Sequence, residues 1–104
     1  MLAINNRLNR KQVKKLAKNE HFFVNKYLLV KYESNLGARL SVAVARKVKA
    51  CNADKLKLRR QIKAIFIENK PNNLDLYIIV LRKPSSNSFE KLKEAYLDFI
   101  KKEN

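Results

Sequence analysis

The chain has 104 residues, 46% of them hydrophobic, with five Phe, four Tyr and one Cys, and its 24 Lys and Arg against 9 Asp and Glu give a net charge of +15. That length suits one domain, 1–104, with a modest core. It excludes a disulfide scaffold, since Cys51 has no partner in the chain, and a histidine-built metal centre, since His21 stands alone; no apolar run nears the roughly 20 residues of a bilayer span. The opening MLAINNRLNRKQ lacks the apolar stretch of a secretory signal, so a cytoplasmic protein is expected.

In chain order, NRKQVKKLAK (9–18) predicts a short helix with Asn9 as N-cap, Val13, Leu16 and Ala17 on one side and Arg10, Lys11, Lys14, Lys15 and Lys18 on the other. FFVNKYLLVKY (22–32) is rich in aromatic and β-branched residues and predicts one strand, followed by a hairpin turn in ESNLGA around Gly37. RLSVAVARKV (39–48) alternates Leu40, Val42 and Val44 with Ser41, Ala43 and Ala45, as a strand with one buried face does, and runs into Arg46, Lys47 and Lys49. NADKLKLRRQIKAIF (52–66) is an amphipathic helix: Leu58, Ile62, Ile65 and Phe66 gather on one side, and Lys57, Arg59, Arg60 and Lys63 sweep round the other. It should stop near Asn69 and Pro71, with Pro71-Asn72-Asn73 as a turn. LDLYIIVLR (74–82) is a near-continuous apolar run, which predicts a central strand covered on both faces. Asn87 and Glu90 have capping-box spacing before a last helix that carries Phe89, Leu92, Tyr96, Phe99 and Ile100 on one stripe. The order α-β-β-α-β-α gives a single α+β domain with its sheet packed by helices.

The charge is unevenly placed. Residues 1–70 hold eighteen basic and four acidic residues, and residues 71–104 six and five. Glu68 stands near the far end of the basic helix, at the margin of its charged face, so that face is not neutralised from within. Such a field suits a polyanion, nucleic acid before an anionic membrane. No glycine-rich phosphate loop or nucleophile elbow is present, and Glu20, Glu33, Asp54 and Glu68 are scattered, so protein-borne catalysis is not expected.

The run RLSVAVARKVK, the basic helix LKLRRQIKAIF, then LDLYIIVLRKP and SFEKLKEAYLDF resemble the bacterial ribonuclease P protein subunit over about residues 7–102. The resemblance implies a ribosomal protein S5 domain 2-like fold with a left-handed βαβ crossover, a hand that chain-handedness rules alone would not give. It places Arg46 and Lys47 on the family's basic pair, Lys49 on its usual glycine, Lys55-Leu56-Lys57 on its Arg-Asn-Arg triplet, and Arg59, Arg60 and Lys63 on the basic positions beyond. Lysine keeps the charge there but loses the bidentate fork. A cleft for the single-stranded 5′ leader is implied between the sheet and the first helix, bordered by Arg10, Val13, Lys14, Ala17 and Lys31. Val13 and Ala17 stand where the family usually has two aromatics, and Lys31 where it often has a tyrosine, with Tyr32 on the opposite face.

The implied role is that of a non-catalytic subunit of an endoribonuclease. It binds ribonuclease P RNA and precursor tRNA, while the RNA carries the chemistry and the Mg2+; no cofactor of its own, membrane or obligate protein partner is expected. Two other readings stand beside it: a small basic ribosomal or ribosome-assembly protein, and a peripheral membrane binder using its cationic helices.

Overall fold

The computed structural model describes residues 8–18, 21–34, 38–49, 51–71 and 74–103. Its elements are α1 (Arg10–Ala17), β1 (Phe22–Val24), β2 (Leu28–Ser34), β3 (Arg39–Val44), α2 (Asn52–Glu68), β4 (Leu74–Val80) and α3 (Ser88–Glu103). The first predicted strand is therefore two. Asn25 divides it: its Oδ1 accepts from the backbone N–H of Tyr27 (3.1 Å) and Leu28 (3.0 Å), an Asx turn that reverses the chain. Its Nδ2 donates to the Ala95 carbonyl (3.1 Å), which fastens the hairpin to α3.

The four strands are ordered β1-β2-β4-β3. β4 pairs antiparallel with β2 and parallel with β3, so β3-α2-β4 is a βαβ unit. The expected β2–β3 hairpin is thereby corrected, because the apolar run of β4 inserts between the two strands and takes neighbours on both sides. Residues 35–37, where the Gly37 turn was placed, lie outside the described residues, as do Asn72 and Asn73.

Cross-strand register fixes the faces. Leu28, Val30, Tyr32, Leu40, Val42, Val44, Leu76, Ile78 and Val80 point one way and pack on Leu58, Ile62, Ile65 and Phe66 of α2 and on Leu92, Ala95, Tyr96 and Phe99 of α3. The apolar stripes predicted for both helices are thus the ones that form the core, and a membrane reading would have needed them free. Tyr32 sits 5.4 Å from the Phe99 ring, on the core face as expected. Tyr96 is buried and its OH donates to the Asn69 carbonyl (2.7 Å), tying α3 to the end of α2; burial pushes this phenol up.

α1 lies over the other face, across β2 and β4. Asn9 and Gln12 form a capping box, with reciprocal bonds of 2.9 and 2.8 Å, a device worth about 1 kcal/mol. Of the three residues expected to face inward, Leu16 is buried, Val13 half-buried and Ala17 exposed. An eight-residue helix is little more than two turns, and this one brings a single residue fully into contact. Asn87 also departs from expectation: its φ of 50° is left-handed, whereas an N-cap is extended, so the Asn87–Glu90 box does not fit. Its carbonyl instead accepts the Lys91 N–H (3.0 Å).

Candidate RNA interface

Two surfaces carry the predicted site residues. The first begins where β3 ends. Val48 N–H bonds back to the Ala45 carbonyl (3.0 Å) and Val48 is buried, so the turn is pinned with Arg46 and Lys47 in solvent; Lys49 follows, also exposed. On α2, Lys57, Arg59 and Arg60 are exposed and Lys63 is half-buried. Lys55 falls near the inward side at 100° per residue and is half-buried, so it stands apart from the outward set. The outward stripe also contains Leu56 (44% exposed) and Ile67 (46%), which the search for charge passed over. Their spacing with Arg60 and Lys63, steps of four, three and four, was the available signal. Arg60, Lys63, Ala64 and Ile67 line an open groove of about 410 Å³.

The described carboxylates of the basic part are each engaged by a lysine. Asp54 meets Lys83 (2.9 Å), Glu33 meets Lys15 (3.5 Å) and Glu68 meets Lys93 (3.7 Å). The Lys83 hydrogen bond holds the Asp54 carboxyl below the usual carboxylate range. Asp54 and Glu68 stand at opposite ends of α2 and Glu33 on β2, and among the described residues no group of three or more His, Cys, Asp or Glu stands together to hold a metal. Among the same residues no helix is long and apolar enough to cross a membrane.

The second surface is the sheet face under α1. β1 pairs with β2 as Phe22↔Lys31 and Val24↔Leu29, and the register continues through β4 to β3. Two rows therefore cross all four strands: Phe22–Lys31–Tyr77–Ser41 and Val24–Leu29–Ile79–Ala43. Neither row holds a carboxylate. The next row, Glu33–Asp75–Arg39, does, but Asp75 is buried in a bidentate pair with Arg39 (2.9 and 2.7 Å) and Glu33 faces Lys15 of α1. α1 thus turns Lys15 toward the acidic row and lies over a floor without carboxylates. Arg10, Val13 and Lys14 line an open groove of about 490 Å³ with Leu8 and Ser41. At the far end of α1, Lys31 Nζ donates to the Ala17 carbonyl. Three of the five predicted cleft residues, Arg10, Val13 and Lys14, line the groove, and the other two, Lys31 and Ala17, meet each other through that bond. Phe22 (56% exposed) and Val24 (52%) on β1 were missed, because only the hairpin at Asn25 reveals that they share this face.

The Ribonuclease P family model matches residues 2–104. Among solved structures, the RNase P protein from Thermotoga maritima is 27% identical, with a TM-score of 0.79 over 92% of this chain and 96% of that one. A Staphylococcus aureus RNase P protein mutant is 17% identical, with a TM-score of 0.78 over 94% and 86%, a likeness of fold. Among curated proteins none matches by sequence. These findings decide between the ribosomal and the ribonuclease P readings: this chain belongs to the ribonuclease P protein family, the protein subunits of the enzyme that processes tRNA 5′ ends.

Proposed function

We propose that the protein is the non-catalytic subunit of its ribonuclease P, and that its two surfaces divide the work. The face made by Arg46, Lys47, Lys49 and the outward side of α2 holds the catalytic RNA. The groove between α1 and the sheet takes the 5′ leader of precursor tRNA. The observation that carries this reading is the separation of the acids from the floor: two rows without a carboxylate lie beside Arg10, Lys14 and Lys31, while the flanking acids are already paired.

The physics is electrostatic and positional. Lysine and arginine displace counterions from phosphates, which lets two polyanions approach. A leader seated in the groove adds contacts that the mature product lacks, so precursor is held more tightly than product. The hydrolytic step and the magnesium belong to the RNA in this reading, and the protein acts in the cytoplasm. Lys31 has a double part: one of its donors ties β2 to the end of α1, and its charge stands within the floor.

The test is cleavage of a precursor tRNA by a bacterial ribonuclease P RNA at low magnesium, with and without the protein. Cleavage restored by the protein is the expected result. RNA binding without any gain in cleavage would contradict it.

A further inference from the structure

Among the described residues Phe22 is the large apolar side chain left most exposed, at 56%, and it has an aromatic neighbour treated in the opposite way. Phe23 turns inward, 5.7 Å from the Phe99 ring, and forms part of the packing against the core. Alternation along β1 then sends Phe22 to the groove face, and pairing with Lys31 confirms that direction. A core role for Phe22 is thereby excluded. Single exposed apolar residues are ordinary on protein surfaces. Phe22 differs in its company: Val24 lies beside it on the same face, Lys31 is its cross-strand partner, and Tyr77 is next in the row. Directly opposed residues have Cβ atoms about 4.5–5.5 Å apart. The Phe22 and Lys31 side chains thus stand side by side at the β1 end of the floor, about 14 Å across three strand spacings from Ser41.

Val13 and Ala17 offer no π-face on the α1 side of the groove. We propose that Phe22 is the specificity-determining residue of this groove, the platform on which one base of the single-stranded leader stacks while Lys31 meets the adjoining phosphate. The assignment rests on the leader-groove reading above. The occupant follows from chemistry: a flat exposed ring suits any base, and Lys31 beside it, with Arg10 and Lys14 toward the Ser41 end of the same face, suits the backbone that carries it. A second copy of this chain fits worse, since it would bring the same positive charges to the same face.

The experiment measures the affinities of precursor and mature tRNA for the holoenzyme reconstituted with a bacterial ribonuclease P RNA. Phe22→Ala should lower precursor affinity roughly 5- to 150-fold, the value of one stacked base, and leave mature tRNA affinity unchanged. Phe22→Tyr should keep the preference, and Phe22→Leu, which preserves apolar bulk without a π-face, should lose most of it. Abasic substitutions along the leader then locate the base: one position should matter with the natural protein and cease to matter with Phe22→Ala. Circular dichroism of each variant confirms folding, which the exposed position of Phe22 should not disturb. An unchanged precursor-to-mature ratio in a folded Phe22→Ala protein, with cleavage intact, would overturn this assignment alone. A natural holoenzyme that does not cleave precursor would overturn the subunit reading and this assignment with it.

Discussion

The outward face of α2 and the groove under α1 are both cationic, yet they are built in opposite ways. The α2 face comes from one continuous segment, Asn52–Glu68, whose inward stripe is buried in the core and whose outward residues need no other element to place them. The groove draws on α1 and all four strands, and its floor exists only because non-consecutive strands meet in register. A surface of the first kind presents charge, and its affinity follows the count of phosphate contacts. A surface of the second kind holds a shape, and its selectivity follows the contacts that keep the shape.

The largest expected effect breaks the first surface and spares the second. Arg59→Glu/Arg60→Glu should weaken binding to ribonuclease P RNA on the order of 100-fold or more, from two charged contacts worth about 1.5–3 kcal/mol each. The log–log salt slope should fall by about 1.4–1.8. Both residues are exposed, so thermal unfolding should be little altered. Filter binding over a salt series checks the slope, and a melting curve checks the fold.

Val13→Phe/Ala17→Phe sharpens the comparison from the other side. Ala17 is exposed and Val13 half-buried at the groove wall, so the added rings have room. Each base they stack should add about 1–3 kcal/mol to precursor affinity, while affinity for the catalytic RNA stays as it was. Competition between precursor and mature tRNA for the holoenzyme gives the number.

Asn25→Ala asks whether the groove depends on its supports. The side chain makes three hydrogen bonds that shape the hairpin and tie it to α3, and their loss should cost about 1–2 kcal/mol, lowering the melting temperature by several degrees. Precursor selectivity should fall with it, since Phe22, Val24 and Lys31 hang on that turn. RNA binding through α2 should not.

The smallest effect concerns Asp54 and Lys83. Because the pairing depresses the Asp54 pKa, its contribution to stability is present at neutral pH and is lost as pH falls through that depressed value. A carboxyl titration by NMR should place Asp54 below an ordinary aspartate, and Lys83→Met should move it back up.

The same contrast explains what the sequence disclosed. Helical periodicity marked Leu58, Ile62, Ile65 and Phe66 as buried and Arg59 and Arg60 as outward, because both facts are local to one helix. β4 was legible as a central strand from its apolar run. The hairpin at Asn25 was hidden inside an apolar stretch, where one Asx turn outweighed strand propensity over eleven residues. The insertion of β4 between β2 and β3 is non-local, and no periodicity encodes it; the resemblance supplied the family's βαβ unit where the residues supplied only its parts. Arg10, Val13, Lys14 and Lys31 came from the resemblance as well, and the floor that joins them needed the register.

The division of labour is tested most directly by site-specific cross-linking in the holoenzyme with precursor tRNA bound. Cys51 is exposed and free, so it is first replaced by Ser, and single cysteines carrying a photoreactive group are placed by Lys14→Cys and Arg60→Cys. The account predicts that the probe at position 14 marks the 5′ leader and the probe at position 60 marks the catalytic RNA. Both probes on the same RNA, or the two exchanged, would contradict it.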